Sequence, residues 1–303
     1  MNTGKQTESI KSSLAGVTPM HKVLSGAFII SFSAVWVGIA DVPATTSGFY
    51  RVFFGSLFLF IAAAFSGELK QINLKQVVPY SVCGFLFALD LYFWHESILL
   101  VGPGLATILG NCQVFIMALC GVIFLGERLT ARFVFSLPVA IFGLLLLIGF
   151  NWSELSEPSM KGIIYGLLTA FCYALFMLTL RRIQGRSASD LTFSPLLFVS
   201  AFCAAFLAIV LFLTDTSFVI PDLKSFGSLL TLGLFSQAAG WIMIATAMPR
   251  IPASITGLVL LLQPFLSFLW DVLIFYRPTT HIHWLGVFVT LSAIYLGASG
   301  KKS

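Results

Sequence analysis

Long apolar runs, separated by short polar breaks, dominate this chain. The runs are continuous rather than alternating, so they predict helices and exclude a membrane barrel. A bilayer-crossing helix needs about 20 mostly apolar residues. Ten segments meet that need, at 22–41, 46–65, 76–97, 103–125, 131–150, 161–181, 192–213, 226–247, 253–276 and 282–299. Pro43, Gly67, the triplet Gly102-Pro103-Gly104, Pro158, Gly185, Pro221, Pro252 and Pro278 fall in or beside the breaks. Spans three and four are joined tightly, as are eight and nine. The first run, Val23 to Ala40, is longer than a signal-peptide core and reads as a retained span.

Composition agrees. Of 303 residues, 58% are hydrophobic and 10% charged, where a soluble domain carries roughly 25% charged residues. This excludes a soluble globular, disordered or fibrous protein and leaves no room for a soluble catalytic domain. The 31 phenylalanines read as lipid-facing and packing material, not as a signature of an aromatic substrate. A net charge of +5 spread without a run longer than Arg181-Arg182 or Lys301-Lys302 does not predict nucleic-acid binding. Cys83, Cys112, Cys120, Cys172 and Cys203 all lie in apolar segments with no CxxC pair, and read as buried thiols.

Lys and Arg set the expected orientation. With the N-terminus in the cytoplasm, the cytoplasmic segments hold Lys5, Lys11, Lys22, Lys70, Lys75, Arg128, Arg132, Arg181, Arg182, Arg186, Arg250, Lys301 and Lys302. The opposite face holds only Lys161, Lys224 and Arg277. This positive-inside bias predicts that both termini are cytoplasmic.

The two halves repeat. With Gln113 aligned to Gln263, an offset of 150, span four lies over span nine. Ser136 and Gly143 then fall on Gly286 and Ala293, keeping small residues in spans five and ten. Five spans per half is an odd number, so the second half inserts upside down. Such inverted repeats are a mark of secondary transporters. The expected fold is all-α and polytopic, with ten transmembrane helices as two inverted five-helix repeats. Its expected parts are an N-terminal tail 1–21, a first repeat 22–150, a linker 151–160, a second repeat 161–299 and a C-terminal tail 300–303.

The segment Ala106 to Thr130, with its closing Leu125-Gly126-Glu127-Arg128-Leu129-Thr130, resembles the fourth span of the drug/metabolite transporter superfamily, EamA type. Arg51 resembles the arginine of that family's second span, and Gln263-Pro264 matches its habit of a proline in the ninth. Phe275-Tyr276-Arg277-Pro278 departs from the family's closing motif, and Val114 stands where a proline is frequent. The resemblance implies a bacterial inner-membrane exporter or exchanger of amino acids and related metabolites.

Polar residues inside spans carry the candidate chemistry. A charge at the bilayer centre costs about 2.5–3.5 kcal/mol on insertion scales and usually faces a cavity or a partner. Asp90 and Trp94 are four residues apart, on one helix face, and suit a ligand ammonium and an aromatic wall. A structural ion pair or helix cap is the plainer use of Asp90. Arg51 suits a substrate carboxylate, or neutralisation of Asp90. Asn111, Gln113, Tyr173, Gln237, Trp241 and Gln263 are further substrate-binding candidates, with interhelical hydrogen bonding the plainer role for the amides. Asp90, His95 and Asp271 are the proton-relay candidates. Glu127 and Arg128 read as a helix-end charge pair or inner gate. The Gly162–Gly166 spacing is one that helix dimers use, so the chain is expected as monomer or homodimer.

There is no Walker A loop, HExxH or GxSxG. No metal, cofactor or enzymatic activity is expected, and the partners are a small solute, lipid and, through coupling, protons. The leading expectation is a secondary transporter of a zwitterionic metabolite, an amino acid or its derivative. The alternatives are a larger solute (a metallophore, an adenosylmethionine-type cofactor or a sugar nucleotide) and a membrane scaffold or sensor.

Overall fold

The computed structural model describes residues 18–71, 74–148, 159–186 and 191–299. Most of both tails and of the 151–160 linker lies outside them. Among the described residues, nine helices have the length and apolarity of a membrane span. They are α1 (Pro19–Ile39), α2 (Ala44–Phe65), α3 (Val77–Gly102), α4 (Leu105–Leu125), α6 (Met160–Gly185), α7 (Ser194–Leu213), α8 (Leu223–Arg250), α9 (Ala253–Phe275) and α10 (His281–Ala298). A shorter apolar helix, α5 (Ala131–Leu147), stands at the expected fifth position.

Helices α3, α6 and α8 extend beyond their apolar windows. The pattern marks hydrocarbon depth, whereas backbone hydrogen bonding continues into the polar border. Three spans are interrupted. Phe32 breaks α1, where the hydroxyls of Ser31 and Ser33 donate to the carbonyls of Phe28 (2.6 Å) and Ile30 (2.5 Å), a local competition that bends helices. Cys112 and Leu261 interrupt α4 and α9 at nearly matching places.

Matching helix ends bear out the repeat. Gly126 and Tyr276, 150 residues apart, both close their helices in the left-handed conformation (φ 65° and 54°). In both, the next N–H reaches back six residues, from Glu127 to Gly121 and from Arg277 to Asp271.

The helices sort into two compact units, each drawing on both halves of the sequence. Unit one is Met1–Ala88 with Thr179–Ile251, and unit two is Leu89–Leu178 with Pro252–Ser303. In unit two, α5 and α10 cross with almost no side chain between them. A Cβ on Gly143 would meet Thr290 Oγ1 at 2.4 Å, and one on Gly286 would meet the backbone N of Leu147 at 2.4 Å. Ser136 faces Gly297 in the same seam. These pairs run in opposite directions, so the helices are antiparallel, and the small residues that repeat in the sequence let them touch. In unit one, Gly26 and Ile30 of α1 meet Ile244 and Gly240 of α8.

The surface is apolar. Phe65, Phe124 and Phe212 are more than 70% exposed, along with many other large hydrophobic side chains. A soluble protein does not carry such a surface, but a lipid-facing one does. Of the cysteines, Cys83, Cys172 and Cys203 are buried and Cys112 and Cys120 partly so, and none is in a disulfide. The Gly162–Gly166 stripe is used inside the chain, against Leu100, Val101 and Leu109. Its expected role in dimerisation therefore has no exposed surface behind it.

Candidate functional site

In unit two, α3 and α6 share an antiparallel seam. Val101 and Leu100 pack on Gly162, the Ser97 hydroxyl donates to the Gly162 carbonyl at 2.8 Å, and Phe93 stacks on Tyr165 at 5.8 Å. One step along, Trp94 and Thr169 both approach Gly110 of α4. One step further on α3 is Asp90, close enough to Cys172 for its charge to act there. Asp90, Trp94, Ser97 and Val101 follow helical spacing, so the expected common face of Asp90 and Trp94 is the α6-facing one. Asp90 is 7% exposed, and Trp94 is half-buried. His95 is buried, with its ring against Trp94 at 5.2 Å and no hydrogen bond at Nδ1. Tyr173 follows Cys172 on α6, half-buried with its ring 6.0 Å from Phe176.

Between α4 and α9, the Gln113 amide reaches the Gly257 carbonyl at 3.5 Å, while its Oε1 and the Nε2 of Gln263 are buried without hydrogen bonds. Asn111 turns back on its own helix, donating to the Thr107 carbonyl at 2.7 Å.

Unit one holds a second polar cluster. Residues Leu232–Gly240 of α8 form a π-helix, a wide turn that is often found at functional sites. Gln237 lies in it. Its Oε1 accepts from Arg51 Nε at 3.2 Å, and its Nε2 donates to Ser200 of α7 at 2.9 Å. Gly55 makes the arrangement possible, because a Cβ there would sit 2.4 Å from Gln237 Cγ. Trp241, one turn on, is buried with its ring edge-on to Phe87 at 5.8 Å.

Two carboxylates tie helix ends together. The buried Glu68 accepts from the backbone N–H groups of Thr192, Phe193 and Ser194 (2.8–3.0 Å) and from the Ser194 hydroxyl at 3.2 Å, capping α7. Glu127 does the same for α9. It accepts from the N–H groups of Ala253 and Ser254 and from the Ser254 hydroxyl at 2.6 Å. Orphan N–H groups and the helix dipole make an anion favourable there. Glu127 is thus occupied by α9 rather than by the exposed Arg128 beside it, which corrects the expected charge pair. Asp271 pairs with Arg277 at 3.2 Å, with both side chains over a third exposed, a pair worth about 0–1 kcal/mol.

Sequence reasoning overlooked Ser200, Thr169 and Glu68. Lone serines and threonines in apolar helices give no signal. Glu68 did carry one. Gly67-Glu68 and Gly126-Glu127 are the same dipeptide after spans two and four, each glycine at positive φ (73° and 65°).

The pattern of the EamA-like transporter family matches residues 20–149 and again 160–298. The chain belongs to that family. The two matches make it a double EamA repeat, which fits the ten-helix inverted-repeat fold. As a member of that family it is a multi-pass membrane protein. It is similar to the pseudopaline exporter CntI of Pseudomonas aeruginosa from strains UCBPP-PA14 and PAO1, in each case 28% identical over 200 residues. That match covers 65% of this chain and 66% of the exporter, just under two thirds of its length. A solved crystal structure shares the fold, with a TM-score of 0.76 and 15% identity over 93% of this chain and 98% of that one.

Proposed function

We propose that this EamA transporter exports or exchanges a small zwitterionic metabolite, an amino acid or amino-acid derivative, by alternating access across a bacterial inner membrane. Both termini face the cytoplasm in this reading, as the Lys and Arg distribution supports. The observation that carries it is a buried carboxylate, Asp90, one turn from Trp94 on the α3–α6 seam. A carboxylate with an aromatic wall suits an ammonium group. Arg51, oriented by Gln237 and Ser200 in unit one, suits a carboxylate. Gln113, Gln263, Asn111, Tyr173 and Trp241 are supporting positions. Asp90 and His95 remain the proton-relay candidates, and Asp271, in its exposed pair, is the weakest.

The test is counterflow of labelled amino acids in proteoliposomes. Asp90→Asn is expected to abolish it in a folded protein, and wild-type rates in that variant would sink the assignment. Transport that stays flat between about pH 5 and 8 would remove His95 as a relay. The similarity to pseudopaline exporters favours a second reading, a larger metallophore-type solute. Counterflow of such compounds, and not of amino acids, would select it.

A further inference from the structure

Threonines inside helices commonly donate their hydroxyl to the carbonyl four residues back. In this protein Thr214, Thr231, Thr246 and Thr256 do so, at 2.7–3.0 Å. Thr169 of α6 does not. It is 4% exposed, yet its hydroxyl has no hydrogen-bond partner. Among the described residues Thr290 is the other helical threonine in that state, and the α5–α10 crossing explains it, since its oxygen lies against Gly143. At Thr169 the close contact is made by the methyl group and not by the oxygen. Its methyl group rests on Gly110, where a Cβ would come within 3.1 Å, and Trp94 is the next neighbour of that glycine at 4.0 Å.

A buried hydroxyl that forgoes its bond costs stability. Such a group persists where a ligand completes it. The seam contacts Ser97–Gly162 and Phe93–Tyr165 place Thr169 within about one helical turn, roughly 5 Å, of the level of Asp90. An ammonium nitrogen has three N–H donors in different directions. One directed at each oxygen, at about 2.8 Å, bridges that gap.

We propose that the Thr169 hydroxyl is a substrate contact that accepts a hydrogen bond from the ammonium held by Asp90, and so selects primary amines over quaternary ones. The Trp94 face alone would favour both. The inference rests on reading the Asp90 seam as the amine site.

The experiment uses the full-length protein in proteoliposomes, with an equimolar mixture of the twenty labelled standard amino acids as probe. Wild type, Asp90→Asn, Thr169→Val and Thr169→Ser are compared, and the amino acid that dominates exchange is tested against its N-trimethyl form. Thr169→Val is expected to raise KM at least tenfold for the primary amine and to leave competition by the trimethyl form unchanged. Thr169→Ser should restore most of the affinity. Thermal unfolding of the empty protein should show Thr169→Val as stable as wild type or more so. Lower thermal stability in the valine variant makes the hydroxyl structural and overturns the inference. Loss in Asp90→Asn with normal affinity in Thr169→Val overturns the inference alone. Wild-type exchange in Asp90→Asn, or no exchange by wild type, overturns the amine-site reading and the inference with it.

Discussion

Replacing Gly286 with alanine tests the α5–α10 crossing directly. The new methyl carbon would lie 2.4 Å from the Leu147 nitrogen, 2.7 Å from the Gly143 oxygen and 2.8 Å from the Leu147 Cα. All three are backbone atoms, so no side chain can swing aside and the helices must part. Overpacking costs about 1–3 kcal/mol, and three backbone clashes put this site at or above the upper end. Alanine returns about 1 kcal/mol of helix propensity, which leaves a net loss of about 2 kcal/mol. Gly227, in α8, is the internal control. A Cβ there meets nothing within 4 Å, so Gly227→Ala should be neutral or stabilising. The assay is thermal unfolding in detergent, followed by size exclusion of the fluorescently tagged protein. If Gly286→Ala melts with or above Gly227→Ala, the close crossing is wrong.

Other outcomes follow from the polar contacts. Glu68→Ala strips four bonds from a buried carboxylate. It should cost more than about 3 kcal/mol, with Glu68→Gln intermediate, as read by thermal unfolding. Glu127→Ala, half-buried and with three bonds, should cost less, about 1.5–3 kcal/mol in the same measurement. Gln237→Leu removes the partner shared by Arg51 and Ser200. It should raise KM in counterflow more than Ser200→Ala does, since Ser200 reaches Arg51 through Gln237.

The helices and their repeat were legible because hydrophobic length and small-residue spacing are physical requirements of crossing a bilayer. Gly143 and Gly286 could be matched in the sequence before their seam was seen. The site was legible only where a charge stood out, as at Asp90 and Arg51. Hydrogen-bond partners such as Ser200 are ordinary residues until three helices bring them together. The expected pairing of Glu127 with Arg128 failed for a related reason. Adjacent charges in sequence look like partners, but a helix N-terminus 126 residues away offers the carboxylate two N–H groups and a hydroxyl. The two units likewise cut across the repeats, because packing joins helices that the chain separates.

The Gly-Glu caps also impose an order on biogenesis. The partners of Glu68 and Glu127 lie 124 to 127 residues downstream. During synthesis both carboxylates emerge long before the helices they cap, and remain hydrated at the membrane border while the second half is made. Closing so long a loop costs little more than closing a short one, so the delay is kinetic rather than energetic. The first five helices alone therefore lack the bonds that fasten α2 and α4. A chain interrupted before residue 192 is an incomplete fold in which both carboxylates lack the helix ends they cap.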